Sequence, residues 1–123
     1  MTIQELYARI GGNYEHAVQI MKSDRLIDKY VRRLKNSRVG ETLARTGDTM
    51  DATGLFESAH AMKGVCANLG LDDLARAADE ITEEFRPGSR RRLSDEEVKA
   101  RLQAVLAQYR ATEEGIQAYE ENA

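Results

Sequence analysis

A chain of 123 residues with 41% hydrophobic and 32% charged side chains, one proline and no tryptophan can bury one core but not two. Ala, Leu, Glu, Arg and Lys outnumber β-branched residues, which predicts a helix-rich fold without sheets. A net charge of −3 gives nucleic acid no general electrostatic help, and a lone cysteine forms no intrachain disulfide.

The N-terminal residues lack the charged and apolar regions of a signal peptide, and no apolar run approaches the roughly 20 residues that span a bilayer. The expectation is a single cytoplasmic domain over residues 1–123, with no membrane partner.

In chain order, Thr2-Ile3-Gln4-Glu5 reads as a capping box opening a first helix that should stop at Gly11-Gly12. A short second helix is predicted over Asn13 to Met21, where Tyr14, Val18 and Met21 repeat at helical spacing. A third is predicted over 24–37, with Leu26, Ile27, Tyr30, Val31 and Leu34 opposite Lys29, Arg32, Arg33 and Lys35. A short helix around Gly40 to Arg45 should end at Gly47-Asp48.

The next helix is expected from Asp51 to Asn68, with Gly70 as its stop. Asp72 should cap a helix over Asp73 to Arg86, terminated by Pro87-Gly88. A second capping box, Ser94-Asp95-Glu96-Glu97, opens a final helix to about Glu120. Short loops between helices favour antiparallel neighbours. The predicted architecture is therefore an all-α, antiparallel up-down four-helix bundle over about 24–120, with short additional N-terminal helices at one end.

The segment 51–69 carries the most chemistry. Unrolled from Leu55 at about 100° per residue, Ala59, Met62, Cys66 and Leu69 stay within about 40° and form the buried stripe. His60 falls about 140° away, Gly64 about 180°, Ala67 about 120° and Lys63 about 80°. An imidazole thus faces solvent with a lysine one turn on and a bare backbone beside it. A glycine inside a helix costs about 1 kcal/mol relative to alanine, so open access to the imidazole is the compensation to look for. Close packing of another helix on Gly64 is the plainer explanation, and its place opposite the apolar stripe argues against it. A neutral imidazole offers a nucleophilic lone pair, and phosphoryl transfer needs positioning and charge neutralisation above all. An ammonium such as Lys63 supplies that charge as a point.

The segment His60-Ala61-Met62-Lys63-Gly64-Val65-Cys66-Ala67-Asn68-Leu69-Gly70-Leu71 resembles the signature of histidine-containing phosphotransfer (HPt) domains, a histidine followed by lysine-glycine and then a leucine-glycine pair. Met62 departs mildly, standing where the family often has leucine. The resemblance implies a phosphorelay carrier: His60 takes a phosphoryl group on its outer ring nitrogen from a receiver-domain aspartyl phosphate or a hybrid histidine kinase and passes it on. Lys63 would then assist and Gly64 give access. No cofactor is expected on this chain, with Mg2+ held by the receiver partner, and the chain is expected to be a monomer.

Phe56, one turn before His60, reads equally as an apolar docking rim or as core edge, and Ala67 as low ground for a partner. His16 has no lysine-glycine following it and reads as a surface or packing residue. Two histidines and one cysteine show no zinc spacing, so no metal site is expected. Arg90, Arg91 and Arg92 read as a solvated loop available to an acidic partner. No Gly-rich phosphate loop is present, which speaks against ATP chemistry and against an enzyme in the turnover sense. The rival reading is a helical adaptor without phosphate, and a weaker one is a bundle that dimerises through its last helix.

Overall fold

Seven helices and no strand occupy residues 1–122, the part of the chain that the computed structural model describes: α1 (Ile3–Ile10), α2 (Tyr14–Met21), α3 (Asp24–Lys35), α4 (Val39–Asp48), α5 (Ala52–Asn68), α6 (Asp72–Glu84) and α7 (Asp95–Glu121). Both capping boxes form. Thr2 Oγ1 accepts from the Glu5 N–H and Glu5 reaches back to the Thr2 N–H, and Ser94 and Glu97 repeat the exchange at α7. Asn13 caps α2 through its side chain and lies just outside the helix.

Helix α5 packs most extensively on α6 and then on α4, while α6 and α4 both meet α7, and α3 lies against α7. The core between them holds Leu43, Leu55, Met62, Ile81, Val98 and Ile116, all fully buried. Helix α4 has a larger part here than the sequence suggests. It runs to Asp48 instead of stopping at Arg45, because Gly47 is not a stop but a packing site. A Cβ on Gly47 would come within 2.9 Å of Leu102 Cδ1 on α7. At the α4–α5 crossing, Thr46 Oγ1 and buried Ser58 Oγ lie 3.1 Å apart, and the Ser58 hydroxyl donates to the Gly54 carbonyl.

Helix α5 ends as predicted, in a turn with Gly70 in the left-handed region at φ 67°. The Leu71 N–H returns to the Cys66 carbonyl and the Gly70 N–H to the Ala67 carbonyl, the paired bonds of a Schellman turn. A side chain here is excluded twice over, since a Cβ would lie 2.6 Å from the Asn13 carbonyl oxygen and 2.8 Å from the Ala17 nitrogen. The start of α2 is thus seated on the α5–α6 turn, and the Tyr7 hydroxyl adds a bond of 2.6 Å to the Leu69 carbonyl.

Asp72 does not cap α6 as expected. Leu71 takes the cap position, and the Asp72 carboxylate turns to α2, accepting from Asn13 Nδ2 at 3.1 Å and meeting His16 Nδ1 at 2.7 Å. His16 is therefore a bridge from α2 to α6. Helix α6 stops at Glu84, short of the predicted Arg86, because Pro87 disfavours helical geometry at the residue before it and Phe85 turns into the core.

The segment after α6 is tied down by Glu84. This carboxylate is only 7% exposed and accepts three bonds, from Arg91 Nε at 2.9 Å, the Arg92 N–H at 2.9 Å and the Leu93 N–H at 2.8 Å. Arg91 also reaches the Leu93 carbonyl and Asp95, and lies over the Phe85 ring. The arginine run is therefore not a uniformly solvated loop: Arg91 is a clasp, while Arg90 and Arg92 present their side chains to solvent.

Candidate functional site

Helix α5 is held by its apolar stripe, and what remains outward is the site. Leu55, Ala59, Met62, Cys66 and Leu69 are buried, and this fixes the rotation of the helix. With that rotation His60 and Gly64 face solvent, Lys63, Phe56 and Ala67 are half-buried along one flank, and Val65 stands out on the other with 40% of its surface exposed. Burial pushes the Cys66 thiol up to about 12, which keeps it an inert core residue.

The His60 ring is not free-standing. Phe56, one turn earlier, stacks parallel to it with ring centroids 5.8 Å apart and an angle of 8° between the planes. The Arg86 guanidinium lies 5.4 Å from the Phe56 centroid and pairs with Glu83 at 2.6 Å. Phe56 is half-buried at the edge of the core, and from there it links the imidazole to the C-terminal end of α6. Gly64 leaves the space beside the ring open, since a Cβ built there meets nothing within 4 Å. No helix packs on this glycine, so close packing does not account for it.

Lys63 points along the flank toward α6, where its Nζ lies 2.8 Å from Asp79 Oδ1. The sequence placed Lys63 near His60 but gave no sign of this partner. Asp79 lies 16 positions further on, across a helix crossing whose register no local spacing reveals. Arg86 is equally hidden in the sequence, since it reads as the last turn of a helix that in fact ends before it. On the opposite flank, Val65 and Asn68 border a largely apolar groove of about 440 Å³ lined also by Met21, Tyr30, Leu34 and Leu69, with Arg33 and Ser37 as its other polar members. An exposed valine outside the stripe was the signal for it.

Chemically, the arrangement offers an exposed nitrogen nucleophile with clear approach, a cation within one helical turn, and an apolar surface beside it. No helix among the described residues is long and apolar enough to cross a membrane, and no group of three or more His, Cys, Asp or Glu side chains among them is placed to hold a metal ion.

Neither a curated protein nor a solved structure matches the chain at a significant level. A family model does: the Hpt domain matches residues 25–112, a span that runs from α3 into α7 and contains His60, Lys63, Gly64, Asp79 and Arg86. All-helical, with that match over well more than half its length, the chain belongs to the Hpt domain family.

Proposed function

We propose that this chain is a phosphoryl carrier of a multistep two-component relay, with His60 as the residue that carries the group. Hpt domains serve phosphorelays as carriers between receiver domains and histidine kinases and not as turnover enzymes. The observation that carries the residue assignment is the open space over Gly64 beside an exposed imidazole, on the helix at the centre of the matched region.

In the step, the outer ring nitrogen of His60 attacks the phosphorus of an aspartyl phosphate. Its lone pair forms the P–N bond as the P–O bond breaks, and the aspartate leaves as carboxylate with that electron pair. The proton on the other ring nitrogen is not transferred. Lys63 neutralises charge on the phosphoryl oxygens, and Phe56 fixes the plane of the ring so that the lone pair meets the incoming group. Phe56, Ala67 and the groove beside Val65 receive the apolar surface of the receiver. Mg2+ belongs to the receiver, and this chain contributes neither metal nor cofactor. The same reading takes the chain as one cytoplasmic, monomeric domain, with an antiparallel up-down bundle over about 24–120.

Incubation with a phosphorylated receiver domain should give a label on the wild type that is acid-labile and alkali-stable. A wild type that takes no label from any phosphorylated donor overturns the reading in favour of a helical adaptor. Lys63→Ala should slow transfer about tenfold with an unchanged melting curve, because a half-exposed ion pair adds little stability. An unchanged rate removes Lys63 from the mechanism.

Gly64 separates access from packing in one pair of variants. Gly64→Ala should raise stability by about 0.5–1 kcal/mol in thermal unfolding, since the Cβ has room and the helix gains propensity. Gly64→Gln should keep most of that gain while slowing transfer about tenfold or more, because its side chain fills the approach to the imidazole. Rapid transfer by the glutamine variant would show that the approach lies elsewhere.

A further inference from the structure

We propose that Asp79 is a positioning residue that holds Lys63 back from the phosphoryl group and so keeps the phosphohistidine reactive. The inference rests on the relay reading of His60. Its own ground is the pair that the resting protein makes. Lys63 Nζ sits 2.8 Å from Asp79 Oδ1, with the two side chains 39% and 38% exposed. The lysine therefore has a carboxylate partner across the α5–α6 crossing in the resting protein.

Once His60 carries a phosphoryl group, Lys63 has two anions within reach of one flexible stem. An ammonium is a point charge with rotatable donors and can be shared or drawn from one anion to the other. The Asp79 carboxylate competes for it, and every part of the lysine's charge kept by Asp79 is withheld from the P–N ground state. A ground state bound less tightly leaves more of the lysine's attraction to be realised as charge develops in transfer. The other cation near the site is tied in the same way: Arg86 pairs with Glu83, and the Asp79 charge also acts on it. The resting site thus balances both of its cations with carboxylates from α6. For a relay this balance is useful, since a carrier that stabilised its phosphoryl group strongly would accept it and not release it.

The test uses the whole chain and phosphoramidate as donor. The His60 nitrogen displaces ammonia from phosphorus, so that the P–N bond to ammonia breaks as the P–N bond to the ring forms. The half-life of the phosphohistidine is then read by 31P NMR at neutral pH, together with the equilibrium of exchange with a receiver domain. Asp79→Asn should lengthen the half-life and shift the exchange toward the phosphohistidine, each about threefold to fivefold, with an unchanged melting curve. Asp79→Glu should behave as wild type.

In the Lys63→Ala background the effect of Asp79→Asn should vanish, since Asp79 acts through the lysine. An Asp79→Asn protein with wild-type half-life and equilibrium overturns the inference. So does a shift that persists at full size without Lys63, which would assign it to direct repulsion between carboxylate and phosphoryl group. A wild type that phosphoramidate and receivers both fail to phosphorylate removes the relay reading, and this inference with it.

Discussion

His60→Gln should abolish phosphoryl uptake completely while leaving the fold and its melting temperature unchanged. The side chain is exposed, so its replacement opens no cavity, and glutamine is a better helix former than histidine. What glutamine lacks is a basic ring lone pair, since an amide nitrogen is not a nucleophile at neutral pH. The stacking on Phe56 at 5.8 Å adds a second expectation, that Phe56→Ala slows transfer without abolishing it, because the ring then samples orientations the platform excludes. Label on the glutamine variant at the wild-type level would remove His60 from the site. The measurement is a transfer time course from a phosphorylated receiver, with circular dichroism melts run in parallel.

Glu84→Ala should cause the largest loss of stability of any single charged residue, about 2–3 kcal/mol, or about 10 °C in melting temperature. Three donors lose their acceptor at once: the Arg91 guanidinium and the N–H groups of Arg92 and Leu93. The segment they belong to leads directly into the Ser94 capping box, so the loss propagates to the start of α7. Glu84→Gln should cost less, since its carbonyl oxygen still accepts from the backbone.

The same group sets an acid limb of stability. Burial opposes ionisation of Glu84, yet the backbone bonds from Leu93 and Arg92 and the Arg91 guanidinium outweigh it and hold the carboxyl below its ordinary 4.5. A depressed native pKa means that the unfolded chain takes up the proton first as pH falls. The contribution is therefore fully present above pH 4.5 and is lost as pH falls below it through the native value. The difference in unfolding free energy between wild type and Glu84→Gln should be constant near neutrality and shrink in that acid range. A constant difference down to the lowest folded pH would contradict the assignment.

Much of the helix pattern was legible because its signals are local. Two capping boxes, the Gly70 stop and the stripe from Leu55 to Leu69 each depend on residues within a turn or two, and each forms as read. The face of α5 on which His60 and Gly64 stand follows from that stripe alone. What the sequence hid depends on crossings. Gly47 looked like a stop because its packing partner, Leu102, lies on α7, and Asp72 looked like a cap because His16 lies on α2.

At the site the same division holds. The angles placed Lys63 on the right flank of α5 but could not show that Asp79 claims it, nor that Arg86 reaches over Phe56. Arg91 shows the limit of composition, since three adjacent arginines read alike until one of them finds a buried carboxylate.

In the proposed relay the phosphoryl group rides on a ring nitrogen of His60. The chain has two histidines, so 31P–15N correlation on protein labelled with 15N-histidine and phosphorylated by a receiver has few possible answers. One phosphorus signal is expected, coupled to a ring nitrogen assigned to His60 and absent from His60→Gln. A phosphorus coupled to His16, or bound to oxygen with no nitrogen coupling, would contradict it.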